Sequence, residues 1–196
     1  MNKINLAKLP PIILASASPR REMLLKEAGI PFKVLPAALD EPEHEYLSPE
    51  EQALFHAFRK ANKIASQYPD HLVIGADTIV CLGNKLYGKP ATLEVARQYL
   101  KELSGKVHRV ITGICLKYEN KKFCELFNET TEVEFLDLDD KRINEYLSKV
   151  NVLDKAGAYG IQEHGDMIIK TIRGSYTNVV GLPVETLVEH LKKITF

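Results

Sequence analysis

One stretch constrains the fold more than any other: Ile12-Ile13-Leu14-Ala15-Ser16-Ala17-Ser18-Pro19-Arg20-Arg21-Glu22. The apolar run over residues 11–16 reads as a short buried strand. Ser18 suits an N-cap and Pro19 the first helical position. A helix should therefore start here and run to about Ala28, where Gly29 and Pro31 stop it. A strand, a tight loop of small residues and a helix in immediate succession fit an α/β unit. They also have the grammar of a phosphate site, because free N–H groups and the helix dipole favour an anion. Two arginines at the positive end of a helix dipole are unfavourable unless something negative sits between them. Arg20 and Arg21 would then add charge-assisted, bidentate contacts. The alternative is that both arginines point to solvent. The loop is neither a GxxxxGK[ST] nor a GxGxxG motif.

The rest of the chain continues the alternation of strand and helix. Phe32–Leu35 returns as a strand, and an acidic loop runs from Asp40 to Leu47. Ser48 and Glu51 have capping-box spacing and start a helix to about Gln67. Leu72–Gly75 and Thr78–Leu82 are strand-like, Gly83-Asn84 reads as a hairpin turn, and Lys85–Gly88 returns. Residues 92–103 look helical, and 107–118 and 123–136 look like two long strands. Asp139 or Asp140 starts a helix to about Val150. Residues 154–165 are glycine-rich and irregular, 167–172 form a strand, and an amphipathic helix follows Pro183. With no repeats, low-complexity segments or linkers, we expect a single α/β domain over residues 1–196 with a mixed sheet.

Composition limits the partners. Lys+Arg and Asp+Glu both number 26, so the formal net charge is zero. A protein whose main partner is nucleic acid or an anionic membrane usually carries a basic excess. No apolar stretch approaches the roughly 20 residues that span a bilayer. The apolar part of MNKINLAKLPPIILAS is short for a signal peptide and continues into patterned sequence, so we read it as a strand and expect a cytoplasmic protein. Cys81, Cys115 and Cys124 form no CxxC and lie in strand-like stretches, which fits reduced core thiols.

Several further stretches can carry chemistry. In Gly75-Ala76-Asp77-Thr78-Ile79-Val80 an acid interrupts an apolar strand, and a buried carboxylate must be paired, hydrogen-bonded or metal-bound. A two-residue turn at Gly83-Asn84 would set Lys89 opposite Thr78 and next to Asp77, with the face it shares depending on register. Either a structural Asp–Lys pair or a carboxylate that binds metal or activates water fits this pattern. Asp40-Glu41 offers hard oxygen donors for Mg²⁺ or Mn²⁺. His108 lies alone in an alternating strand and fits a structural role. The two glycine-rich segments, around Gly157 and Gly174, allow close approach of backbone to a ligand. Gln162 carries both a donor and an acceptor suited to a nucleobase edge, or is simply a surface amide.

Taken in order, LASASPRRE, Asp40-Glu41, GADTIV, GKP, LSGKVHRVITG, DKAGAYGIQ and GSYTNVVGLP resemble the Maf family. These septum-formation inhibitor-like proteins are nucleoside triphosphate pyrophosphatases, and the resemblance runs from about Ile12 to Leu187. It implies a Maf/inosine-triphosphatase-like α/β fold: an elongated mixed sheet flanked by helices, with a cleft between two lobes. It implies hydrolysis of a nucleoside triphosphate to monophosphate and pyrophosphate with a divalent cation, Mg²⁺ or Mn²⁺. Asp77 matches the family's catalytic proton acceptor. Ser16, Arg20, Arg21, Glu41 and Lys89 match phosphate- and metal-handling positions and Lys60 a family lysine, and we expect Glu41 and Asp77 to hold the metal. Arg20, Thr78 and Gln162 match positions linked to substrate choice, and AYGIQ is similar to the branch acting on dTTP and UTP. That branch often continues with Gly-Leu-Gly, where this chain has Glu163-His164-Gly165. A homodimer is implied as well. The competing readings are a nucleotide-sensing regulator of cell division and a hydrolase for modified pyrimidine nucleotides.

Overall fold

The structure is a computed structural model and describes residues 9–40, 44 and 46–196. Its strands are β1 (Ile12–Leu14), β2 (Lys33–Val34), β3 (Leu72–Leu82), β4 (Lys85–Tyr87), β5 (Val107–Tyr118), β6 (Phe123–Phe135) and β7 (Ile169–Arg173). Its helices are α1 (Pro19–Glu27), α2 (Pro49–Ala65), α3 (Leu93–Leu103), α4 (Asp140–Lys149), α5 (Tyr176–Val180) and α6 (Val184–Lys193). The strands form one sheet in the order β2-β1-β3-β5-β6-β7, with β4 also beside β3. β1 runs parallel to β2 and β3, and the remaining pairs are antiparallel. The sheet is mixed, as the alternation of elements predicts.

β3 explains the shape of the molecule. One edge pairs with β5 without interruption from Val73↔Lys117 to Cys81↔Arg109. The other edge is shared by two short strands. β1 reaches Leu14↔Ile74, extended by a 2.8 Å bond from the Ala15 N–H to the Ile74 carbonyl. β4 begins at Val80↔Tyr87. Among the described residues no strand pairs with 76–79 on that side. Two apolar cores flank this gap on one face of the sheet. The first gathers Leu25, Ile74, Leu116 and Leu187 beneath α1 and α6. The second gathers Leu100, Val110, Phe135 and Tyr146 beneath α3 and α4. A cleft between two lobes follows from a long strand whose edge partners stop short of each other.

α2 covers the opposite face. Ala53, Ala57, Ala61 and Ala65 recur every four residues and are fully buried, so they form one stripe along the helix. Small side chains let the helix lie almost on the sheet backbone at Gly75 and Gly113. A Cβ on Gly75 would sit 2.2 Å from the Ala57 carbonyl oxygen, and one on Gly113 would sit 2.4 Å from the Ala53 carbonyl carbon. The helix starts as predicted: the Ser48 hydroxyl accepts from the Glu51 N–H, and the Glu51 carboxylate accepts from the Ser48 N–H.

Three features depart from the sequence reading. β3 is one strand through Asp77, because β5 pairs with every residue across the expected break. Residues 165–167 make a 3₁₀ turn that delays β7 to Ile169. Residues 176–180 form the short α5, where β-branched composition gave no helical signal; the Ser175 hydroxyl caps it by accepting from the Asn178 N–H. The thiols also need correction. Cys81 and Cys115 are buried, but Cys124 is exposed. Strand alternation places it with Leu126, Asn128 and Thr130 on the solvent side of β6. No helix among the described residues is long and apolar enough to cross a membrane.

Candidate active site

The gap in the β3 edge opens on a cavity of about 620 Å³. Ser16, Arg20, Arg21, Lys60, Asp77, Thr78, Lys89 and Gln162 all line it. The structure thus brings together every predicted site residue it describes. Glu41 lies outside the described residues. Successive strand residues face opposite sides of a sheet. Asp77 therefore shares the α2 face with Gly75 and Ile79, and Thr78 the other face with Ala76 and Val80. Both line the cavity, where β1 and β4 stop short of each other along that edge.

Asp77 is only 8% exposed. Its partner is Lys60, whose Nζ lies 2.7 Å from Oδ1 and also donates to the Ala76 carbonyl at 3.2 Å. Lys60 immediately precedes Ala61 in the helix stripe, so close packing of α2 carries the ammonium to the β3 edge. Among the described residues Asp77 Oδ2 accepts no hydrogen bond. The hairpin register is the one expected for Lys89, but the pairing does not extend to it. The hairpin ladder ends at Val80↔Tyr87, and Lys89 lies beyond it, exposed where it lines the cavity. Among the described residues it makes no ion pair.

The two arginines do different things, and neither simply points to solvent. Arg21 is buried, and its Nε donates to the Gly181 carbonyl at 2.8 Å. Its Nη1 donates to Ser16 Oγ at 3.1 Å and to the Ala76 carbonyl at 3.0 Å, and its Nη2 to Thr78 Oγ1 at 2.8 Å. One guanidinium thus ties the loop after β1, the free edge of β3 and the turn after α5. Thr78 Oγ1 is also 3.0 Å from Thr112 Oγ1. Arg20, at the cavity wall, pairs with Asp154: Nη1 lies 2.7 Å from Oδ2, and Nη2 donates to the Asp154 carbonyl at 3.3 Å. Ser18 occupies the N-cap of α1 but makes no side-chain cap bond there. The first-turn N–H groups of α1 thus keep the character of an anion site.

Sequence reasoning missed Asp154 and Lys155. Lys155 is 5% exposed, and its ammonium bonds Asp154 Oδ1 at 3.0 Å and Glu163 Oε1 at 3.1 Å. Partial burial works to raise the Asp154 pKa, but the hydrogen bonds from Lys155 and Arg20 outweigh it and hold the carboxyl below its usual range. The available signal was an acid–base dipeptide directly before a run of small residues. His108 keeps the structural role expected of it. Its Nε2 is 2.8 Å from Tyr159 Oη, and burial pushes its pKa down to about 4.

The donor set bears on a metal. Among the described residues no group of three or more His, Cys, Asp or Glu side chains can enclose an ion. The cavity does hold the Asp77 carboxylate, a hard donor whose Oδ2 accepts no hydrogen bond among the described residues. Among the described residues five cations line the cavity (Arg20, Arg21, Lys60, Lys89, Lys155) against three acids (Asp77, Asp154, Glu163). Among the described residues the cleft therefore carries an excess of positive charge, which suits a polyanion.

Known proteins resemble this chain over most of its length. The sequence profile described as Maf-like protein matches residues 11–194. A dTTP/UTP pyrophosphatase of Geobacillus sp. (strain WCH70) is 44% identical over 183 residues, covering 93% of this chain and 97% of the relative. The dTTP/UTP pyrophosphatases of Bacillus anthracis (strain CDC 684 / NRRL 3495) and Bacillus cereus (strain AH820) are each 42% identical over 182 residues, covering 93% of this chain and 94% of each relative.

Proposed function

The chain belongs to the Maf family, and from that premise we propose that it hydrolyses dTTP and UTP to the monophosphate and pyrophosphate. One observation carries the reading. The gap in β3 sets a buried carboxylate, Asp77, beside a cationic cleft at the start of α1. That is the pairing of base and polyanion site that hydrolysis of a triphosphate needs.

Asp77 takes the proton of a water as its oxygen bonds to the α-phosphorus, while the bond from that phosphorus to the bridging oxygen breaks and pyrophosphate leaves. Lys60 fixes the carboxylate through Oδ1 and leaves Oδ2 toward the reaction. Arg20, Lys89 and the α1 N–H groups hold the phosphates as charge moves onto the leaving group. Arg21 acts mainly by fixing the walls, since its guanidinium already serves four acceptors. Gln162 reads the base edge, and thymine or uracil presents an N3–H donor and an O4 acceptor that one amide can match.

Mg²⁺ or Mn²⁺ fits this donor set. Mg²⁺ is typically bound through one or two carboxylates plus substrate phosphates. Asp77, with Glu41 as the second acid, would hold it together with the triphosphate. When bound, the ion polarises the phosphoryl oxygens. The partner on this reading is free nucleotide, not nucleic acid or membrane.

A pyrophosphate-release assay on standard and modified nucleoside triphosphates tests the proposal. Turnover should be highest with dTTP, UTP or a modified pyrimidine nucleotide, and Asp77→Asn should lower kcat by about 10²-fold or more. Binding of dTTP without turnover would instead favour the nucleotide sensor.

A further inference from the structure

On the reading above Arg20 grips phosphate and Gln162 reads the base, and an ion-pair chain runs between them. Arg20 Nη1 bonds Asp154 Oδ2 at 2.7 Å, Asp154 Oδ1 bonds Lys155 Nζ at 3.0 Å, and Lys155 Nζ bonds Glu163 Oε1 at 3.1 Å. One end belongs to the first turn of α1. The other is the residue after Gln162. The middle is buried, with 6% of the Lys155 side chain exposed, so its ammonium must keep its partners.

The segment is built around this lysine. A Cβ on Gly160 would lie 2.8 Å from Lys155 Cε and 3.1 Å from its Cδ, so the lysine stem runs directly over this glycine and a larger residue would make it shift. The Gly160 N–H donates to Tyr146 Oη at 3.0 Å, which pins the same point from α4. Lys155 thus closes residues 154–163 into a loop by holding an acid at each end. Gln162 lies within that loop, directly before Glu163. Asp154 is shared: one oxygen orients Arg20, the other closes the loop.

We propose that Asp154 is a positioning residue that couples the phosphate grip of Arg20 to the base choice of Gln162 through Lys155 and Glu163. This rests on the reading of Gln162 as the base-reading residue. Asp154 touches neither the base nor the water. A purely structural role would weaken binding of every nucleotide equally, whereas coupling changes the ratio between bases.

The test measures binding by calorimetry, with α,β-imido-dTTP, α,β-imido-dCTP and inorganic tripolyphosphate as probes, and turnover of dTTP separately. Asp154→Asn should weaken tripolyphosphate binding about fivefold and cut the dTTP-over-dCTP analogue preference about tenfold, the size expected for losing charge-assisted hydrogen bonds. Glu163→Gln, at an exposed position, should cut the base preference about threefold and leave tripolyphosphate binding unchanged. Asp154→Glu, which keeps the charge, should recover most of the base preference. An unchanged base preference in either neutral variant overturns the coupling, whatever happens to thermal stability. Wild-type binding with base preference but no dTTP turnover removes the enzyme reading and leaves the coupling intact. Turnover with unaltered preference in the variants does the reverse. A wild-type protein that binds no pyrimidine analogue overturns both.

Discussion

Gly75→Ala should disable the site from beneath, through packing alone. The added Cβ would lie 2.2 Å from the Ala57 carbonyl oxygen, 2.8 Å from the Ala61 nitrogen and 2.9 Å from the Ala61 Cβ. None of these atoms is the end of a flexible side chain. Ordinary contact begins near 3.4 Å, so α2 must retreat by about 1 Å, since close-packed interiors have no slack to absorb the overlap. Forcing a methyl into a packed interface costs about 1–3 kcal/mol, offset by up to about 1 kcal/mol from replacing glycine in a strand. A net loss of about 2 kcal/mol is expected. The larger consequence is catalytic. The displaced turn of α2 carries Lys60, whose 2.7 Å bond to Asp77 Oδ1 would stretch past hydrogen-bond length. A 1 Å misplacement can cost about 10²-fold in rate. Urea denaturation reads the first effect, and dTTP turnover, at a temperature where the variant is folded, reads the second. Gly83→Ala is the control: it has a φ of +60° and nothing within 4 Å, so it should cost about 1 kcal/mol and spare turnover. A Gly75→Ala protein with wild-type midpoint and rate would refute the packing argument, as would equal loss of rate in Gly83→Ala.

Three other outcomes are expected. Lys60→Met leaves the buried Asp77 carboxylate without its ammonium, so kcat should fall about tenfold or more with a smaller change in KM; steady-state kinetics checks this. Removing divalent cations with a chelator should abolish dTTP hydrolysis, and Mg²⁺ or Mn²⁺ should restore it; undiminished turnover in chelator excludes the metal. His108 should make stability depend on pH. Its folded pKa is about 4 against an ordinary value of 6.5, so the unfolded chain takes up a proton first. The stability is fully present above pH 6.5 and is lost as pH falls toward 4, by about 3 kcal/mol. His108→Gln should flatten that part of a denaturation–pH profile.

Much of the site was legible in the sequence because its parts are local. Ser18-Pro19 starts a helix whatever surrounds it, and the Ser48/Glu51 spacing specifies its own cap. An acid in an apolar strand calls for a partner. What sequence cannot supply is which partner. Lys89 was near Asp77 by hairpin arithmetic, yet Lys60 holds it, because α2 lies on Gly75 and Gly113 closely enough to bring its lysine to the strand edge. Arg21 likewise looked equivalent to Arg20, and only the fold shows it buried against Gly181, 160 residues along the chain. The continuity of β3 through Asp77 is also non-local, since β5 imposes it. The cleft follows from where β1 and β4 end, and no residue pattern within β3 marks that gap.

The most direct test of the chemistry is hydrolysis of dTTP in H₂¹⁸O, with both products analysed by mass spectrometry. Attack at the α-phosphorus puts the label in thymidine monophosphate and leaves pyrophosphate unlabelled, and this is the expected result. Label in pyrophosphate, or release of thymidine diphosphate with labelled inorganic phosphate, would contradict the placement of the water beside Asp77 and the α-phosphorus.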